Sequence, residues 1–243
     1  MEIRFEDKTF AFPDLPPGDH IARQIEKKRT FYEVDMLTAL ARRVPADGWA
    51  IDCGSNIGNH ALFFAGVIGL RCIAFEPVAR NRLILERLIE ANDLIDQIEV
   101  RPEAVGDAPG EVVLTTPNEG NAGMFRIVEG IDAGERAAIV RLDDALPADR
   151  TPIRLLKIDV EGYETNVLRG AAGVISRDRP VIVAELANLT EYDRFREELE
   201  QHRYVAAEVH NATPTVVFAP EGRENGRSIR REIARFEKKH GVR

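Results

Sequence analysis

The chain has 243 residues, 44% of them hydrophobic and 30% charged, enough to bury a full core in one large α/β domain with small appendages. Its net charge of −8 and pI near 5.3 argue against a nucleic-acid partner, which leaves a basic footprint. No run approaches the roughly 18 apolar residues of a membrane span, the start Met1-Glu2-Ile3-Arg4-Phe5 has no apolar signal core, and Cys53 and Cys72 sit in apolar runs as buried thiols. A cytoplasmic protein with no transmembrane segment and no disulfide framework is expected.

Ile3, Phe5, Phe10 and Phe12 flank Glu6-Asp7-Lys8-Thr9 in the manner of a small hairpin, ended by Pro13, Pro16, Pro17 and Gly18. Asp19 then caps a helical region, Ile21 to Val44, broken once near Arg29-Thr30 and packing through Phe31, Tyr32, Val34, Met36, Leu37 and Leu40. Ahead of a nucleotide-type fold such a segment reads as a lid, with Tyr32 and Glu33 as its candidate residues.

From Trp49 onward strand-like runs occur at Ala50 to Cys53, Cys72 to Phe75, Ile98 to Arg101, Leu155 to Ile158, Val181 to Glu185, Val205 to Val209 and Thr215 to Phe218. Helical stretches lie at Ile57 to Ile68, Arg80 to Asn92, Glu164 to Leu168 and Glu191 to His202. This alternation predicts a Rossmann-like α/β fold, a mostly parallel sheet with helices on both faces. Gly106 to Asp149 breaks the rhythm with a turn at Ala108-Pro109-Gly110, a strand-like Glu111 to Thr115 and a loop from Asn118 to Gly123, and reads as an insertion edging the ligand crevice. The end of the chain is basic, with Arg223, Arg227, Arg230, Arg231, Arg235, Lys238, Lys239 and Arg243, and its Ile229, Ile233 and Phe236 recur at helical spacing as a docking face. The predicted division is a hairpin and helical lid over 1–45, the main domain over 46–220 and a basic C-terminal helix over 221–243.

In a doubly wound sheet the ligand sits outside the carboxyl ends of the strands, and here five strands end on acids: Asp52, Glu76-Pro77, Glu103-Ala104, Asp159-Val160-Glu161 and Glu185. Glu76 follows Asp52 by one strand-helix-strand unit, where a carboxylate accepts hydrogen bonds from both ribose hydroxyls. The turn Gly54-Ser55-Asn56-Ile57-Gly58 is G-x-x-x-G behind an acid, whereas the dinucleotide fingerprint is G-x-G-x-x-G. Asp52 repels a pyrophosphate and suits a cationic amino-acid group, so the cofactor that combines ribose, adenine and an α-amino acid, S-adenosylmethionine, fits. Asp52 and the loop amides are assigned to its methionine portion, Glu76 to its ribose and Glu103 or its neighbours to its adenine edge.

The run I-D-C-G-S-N-I-G-N-H, followed by A-F-E-P, E-A-V-G-D, L-L-K-I-D-V-E-G-Y-E, V-L-R-G-A and P-V-I-V-A-E, resembles the FkbM family of S-adenosylmethionine-dependent methyltransferases. The resemblance covers about Phe31 to Leu186, including Phe31-Tyr32-Glu33. It implies a seven-stranded class I methyltransferase sheet with an antiparallel last strand, and methyl transfer to a hydroxyl of a saccharide or natural-product acceptor. Position by position, it assigns Asp52, Gly54, Asn56, Gly58 and Asn59 to the cofactor loop with Ser55 between them, Glu76 and Pro77 to the ribose strand end, and Lys157, Asp159, Glu161 and Gly162 to the second motif. Asn121-Ala122-Gly123 resembles a short element on the acceptor side.

Transfer from an activated methyl needs alignment and the removal of one proton. Asp159, which also borders the cofactor, is the leading base, with Lys157, Glu161 and Glu185 as its catalytic neighbours. Asp159, Glu185 and Asn188 are also candidate oxygen ligands for a divalent metal such as Mg²⁺. His60 either packs or approaches the acceptor, and His210 is a candidate at the site mouth. The alternatives are a methyltransferase acting on protein or nucleic acid, against which the missing N/D-P-P-Y/F tetrapeptide argues, and a non-catalytic cofactor-binding module. Acceptor identity and oligomeric state are not encoded in any motif.

Overall fold

Apolar residues on both sides of each central strand require helices on both faces of the sheet, and the computed structural model has that arrangement. It describes residues 1–13, 15–115, 126–128, 134–147, 150–222 and 225–241. In chain order come the hairpin β1 (Glu2–Phe5) and β2 (Lys8–Ala11), helices α1 (His20–Lys28) and α2 (Val34–Arg43), and strand β3 (Trp49–Cys53). Helix α3 (Asn59–Phe63) runs into a π-helical turn, Phe64–Ile68, before β4 (Arg71–Phe75), α4 (Ala79–Ala91) and β5 (Ile98–Arg101). Then follow β6 (Ala104–Val105), β7 (Gly110–Thr115), β8 (Arg126–Val128), β9 (Glu135–Val140) and α5 (Leu142–Ala145). The chain closes with β10 (Ile153–Ile158), α6 (Glu164–Gly170), α7 (Ala172–Asp178), β11 (Val181–Glu185), α8 (Leu189–Glu200), β12 (Val205–His210), β13 (Thr215–Ala219) and α9 (Gly226–His240).

Seven strands form the central sheet in the order β12-β13-β11-β10-β3-β4-β5. All neighbours from β5 to β11 pair in parallel, and β13 runs antiparallel to both β11 and β12. The order reverses between β3 and β10, which makes their carboxyl ends the crevice. Register sets Asp52 beside Lys157 and Ile158 beside Ala184, so the next residues, Asp159 and Glu185, end adjacent strands.

One apolar cluster joins the hairpin, α1, α2, α3 and α4 to one face of the sheet, and a second packs α6, α7, α8 and α9 on the other. Phe31 centres the first. Its ring meets Phe5, Phe10, Phe12 and Phe63 edge-on at 5.0 to 5.9 Å, which fixes the segment just before α2 against α3, the helix that follows the Gly54–Gly58 turn. The break expected near Arg29-Thr30 is real, with Arg29 left-handed at φ 55° as the C-cap of α1, and Asp19 caps its start by accepting from the Ala22 amide at 2.9 Å. Helix α7 has no counterpart in the sequence reading, and α3 begins two residues later than expected because Gly58, at φ 91°, turns the chain into it.

The strand-rich insertion forms a four-stranded sheet of its own, β6-β9-β7-β8, beside the crevice. Asn118 to Gly123 and the Asn121-Ala122-Gly123 element lie outside the described residues. Helix α9 docks through buried Ile229 and Ile233, an Arg230–Asp193 ion pair and the Leu189 amide donating to Glu237 Oε1 at 3.0 Å.

Candidate active site

A cavity of about 410 Å³ opens at the carboxyl ends of β3, β4, β10 and β11, within the range of small-molecule sites. Its walls include Gly54, Ser55, Asn56, Asn59, Glu76, Pro77, Glu103, Ala104, Lys157, Asp159, Glu161 and Glu185, so most of the residues singled out in the sequence converge on one chamber.

Glu76 ties two of its walls together. Its Oε2 accepts from the Asn56 amide at 2.7 Å and its Oε1 from the Val78 amide at 2.9 Å, with Asn81 Nδ2 at 3.5 Å. Burial pushes its carboxyl up to about 7 although these amides favour the charged form. A carboxylate oxygen has two lone pairs, so Oε2, with the Asn56 amide as its one donor among the described residues, keeps capacity for a hydroxyl. Asn56 is left-handed at φ 50°, and its Oδ1 is buried with no hydrogen-bond partner among the described residues. Such an orphaned acceptor beside an anchored carboxylate fits a polar ligand. Glu103, held by Arg101 at 3.3 Å, and Ala104 border the same end of the chamber. The residues present therefore fit S-adenosylmethionine, a ligand with hydroxyls for Glu76 and a polar group for Asn56.

Lys157 organises the neighbouring wall. Its ammonium donates to the Gly54 carbonyl at 2.8 Å and lies 3.1 Å from Asp52 Oδ1 and 3.4 Å from Asp159 Oδ2. Burial alone lowers a lysine pKa, but Asp52 and Asp159 outweigh it and hold the ammonium well above its ordinary value. Asp52 differs here from its sequence assignment. Its side chain is fully buried behind the wall and faces Lys157, so it reaches the chamber only through that ammonium. Gly54, at φ 78°, has no room for a side chain, since a Cβ would fall 1.9 Å from the Asp159 carbonyl. Gly58 is likewise off the cavity wall, and a Cβ there would meet Leu85 of α4 at 2.5 Å. The sequence reading puts Gly58 among cofactor contacts, whereas here it lies against α4.

Opposite stands the segment ahead of α2. Asn59 clamps the Tyr32 main chain in both directions, accepting from its amide at 3.0 Å and donating to its carbonyl at 3.1 Å. Glu33, left-handed at φ 58°, has Oε2 3.1 Å from His60 Nε2, and the His60 ring stacks on Phe64. Burial and the charges of Glu33, Glu185 and Asp159 push the Tyr32 phenol up. Glu185 is raised well above the usual carboxyl range by burial and then by Asp159, Glu161 and Glu33. Glu164 shapes the Asp159 loop from below, its Oε1 accepting from Val160 at 3.3 Å and Gly162 at 3.0 Å. That lets Glu161 and Gly162 turn left-handed, at φ 55° and 97°.

Other candidates go elsewhere. Asn188, expected as an oxygen ligand, instead caps α8 by accepting from the Glu191 amide at 2.9 Å and does not border the chamber. Among the described residues no three His, Cys, Asp or Glu side chains gather as a metal site, and the Mg²⁺ expectation gains no ligand set. His210 pairs with Glu208 at 3.0 Å, away from the cavity wall. Conversely His20 and Arg23, on the exposed side of α1, border the cavity without having been anticipated. Their only sequence signal was an amphipathic helix behind a capping Asp.

Among proteins of solved structure the chain is similar to an FkbM methyltransferase from Methylobacillus flagellatus KT, at 18% identity and a TM-score of 0.53 over 72% of this chain and 44% of that one. This chain thus spans less than half of that protein. It is also similar to a protein from Clostridium thermocellum described as an rRNA methylase, at 10% identity and a TM-score of 0.52 over 79% and 96% of the two chains. A third similar structure is an S-adenosylmethionine-dependent O-methyltransferase from Thermotoga maritima, at 13% identity and a TM-score of 0.51 over 86% and 74%. These likenesses place the fold with class I methyltransferases. No curated protein matches the chain. The model of the methyltransferase FkbM domain matches residues 52–206, well over half of the sequence. The chain belongs to the FkbM methyltransferase family.

Proposed function

We propose that the protein transfers a methyl group from S-adenosylmethionine to a hydroxyl oxygen of a small-molecule or saccharide acceptor. The observation that carries this reading is the second half of the chamber, where Glu33, Asp159, Glu161 and Glu185 converge beside the Gly54–Asn59 turn. Carboxylates accept hydrogen bonds from hydroxyls, and an ionised one can take the proton that methylation releases. Such a wall disfavours the phosphates of a nucleic-acid acceptor.

Bound against Glu76, Asn56 and Glu103, the cofactor supplies a methyl group already activated on a sulfonium. The chain then has to hold the acceptor in line and remove one proton. Asp159 is assigned that proton. It is one-third exposed on the cavity wall, and Lys157 fixes its carboxylate from behind. Glu185, whose burial and acidic neighbours keep it protonated to higher pH, offers the acceptor a hydrogen-bond donor among acceptors. Lys157 and Asp52 are positioning residues, and Tyr32 and Glu33 close the chamber.

Incubating the protein with radiolabelled methyl donor and a panel of sugars, glycolipids and small polyketides tests the reading. Base-stable label in a hydroxylated product is expected. Label appearing only in added RNA or protein would contradict it.

A further inference from the structure

The methyl donor carries an α-carboxylate as well as its sulfonium and ammonium groups. An anion entering a chamber lined by Glu33, Glu76, Asp159 and Glu185 needs a cation to meet it. Four residues on the cavity wall can be cationic: His20, Arg23, His60 and Lys157. Lys157 directs its ammonium at three protein oxygens, the Gly54 carbonyl, Asp52 and Asp159, which matches its three donors. His60 faces Glu33 at 3.1 Å.

Arg23 is different. It is exposed, and among the described residues its guanidinium has no ion-pair partner. It sits three positions after His20 on α1, so the two share a helix face. The His20 ring lies edge-on to Tyr32 with centroids 5.8 Å apart, and Tyr32 is clamped at both main-chain atoms by Asn59, the first residue of α3. This chain of contacts brings the His20–Arg23 face to the side of the cavity bounded by the Gly54–Asn59 turn, where the cofactor reading puts the amino-acid end of the methyl donor.

Building on the S-adenosylmethionine reading above, we propose that Arg23 binds the α-carboxylate of the methyl donor. The cofactor site is then completed by a residue that lies ahead of the family-matched segment 52–206.

Calorimetry with two ligands separates this role from others. S-adenosylhomocysteine carries the amino-acid end, whereas 5′-methylthioadenosine keeps adenosine and the thioether but lacks it. Arg23→Ala should weaken S-adenosylhomocysteine about tenfold, the low end for a charge-assisted hydrogen bond, and leave 5′-methylthioadenosine unchanged. Arg23→Lys should recover part of the loss. Equal weakening of both ligands, or undiminished binding of S-adenosylhomocysteine, would overturn the assignment. If the unmodified protein binds neither ligand the cofactor reading itself fails, whereas tight wild-type binding with an indifferent Arg23→Ala variant removes Arg23 alone. Because Arg23 is exposed, the variant should melt at the wild-type temperature.

Discussion

Lys157 and Asp52 stand side by side on neighbouring parallel strands, with Nζ 3.1 Å from Oδ1 and both side chains at most 5% exposed. The pair anchors the wall from which Gly54 and Asp159 reach the cavity. Lys157→Met leaves the Asp52 charge buried without its partner and should cost about 3–5 kcal/mol in urea unfolding. Adding Asp52→Asn removes the stranded charge and should restore part of that loss. Single and double variants of equal stability would show that the pair is not what holds the wall.

Two glycines of the site differ in a way that substitution can separate. Gly54→Ala drives a Cβ into the Asp159 carbonyl and demands φ 78°, so both the melting temperature and cofactor affinity should drop. Gly162 has φ 97° but nothing within 4 Å of where a Cβ would stand, so Gly162→Ala should cost only the conformational strain, about 1 kcal/mol. Calorimetric melting of both variants checks this. Indifference to Gly54→Ala would mean that the turn and the Asp159 loop do not touch as described.

Asp159→Asn should bind S-adenosylmethionine within about twofold of wild type while turnover falls by roughly 10²- to 10⁴-fold, the range for loss of a general base. The measurement is calorimetry beside single-turnover methyl transfer on whichever acceptor the panel yields. An active Asp159→Asn protein would move the proton to another residue.

Much of this was legible from residue order. The acids at the ends of β3, β4, β10 and β11 marked the crevice because parallel strands buried on both faces leave only their ends for polar residues. What stayed hidden was which acids face the cavity. Asp52 and Asp159 are equally acidic in sequence, but the register of β3 against β10 turns Asp52 onto a buried lysine and lets Asp159 emerge two positions further on. Asn188 looked like an oxygen ligand because a helix cap and a metal ligand call for the same side chain. His20 and Arg23 carried no motif, since covering a cavity with an exposed helix face needs only amphipathicity.

Glu76 links the site to pH. Its folded-state carboxyl is raised to about 7, above its ordinary value of 4.5, so the folded chain binds its proton more tightly than the unfolded chain does. The stability this contributes is fully present below about pH 4.5 and is lost as pH rises through 7. Glu164 is also raised to about 7 and adds a slope of the same sign. Ribose hydroxyls donate to the ionised form, so cofactor affinity should run the other way, strengthening as pH rises through about 7. In Glu76→Gln that dependence should flatten. An affinity constant across this range in wild type would contradict the link.

In the proposed function the cavity holds S-adenosylmethionine with its ribose on Glu76. Titration calorimetry of S-adenosylmethionine, at a pH about one unit above the Glu76 value, into wild type and Glu76→Ala tests it most directly. Saturable one-to-one binding that weakens at least about tenfold in the variant, with the fold retained by circular dichroism, is the predicted result. Absence of binding to the wild-type protein, or equal affinity in a folded Glu76→Ala protein, would contradict it.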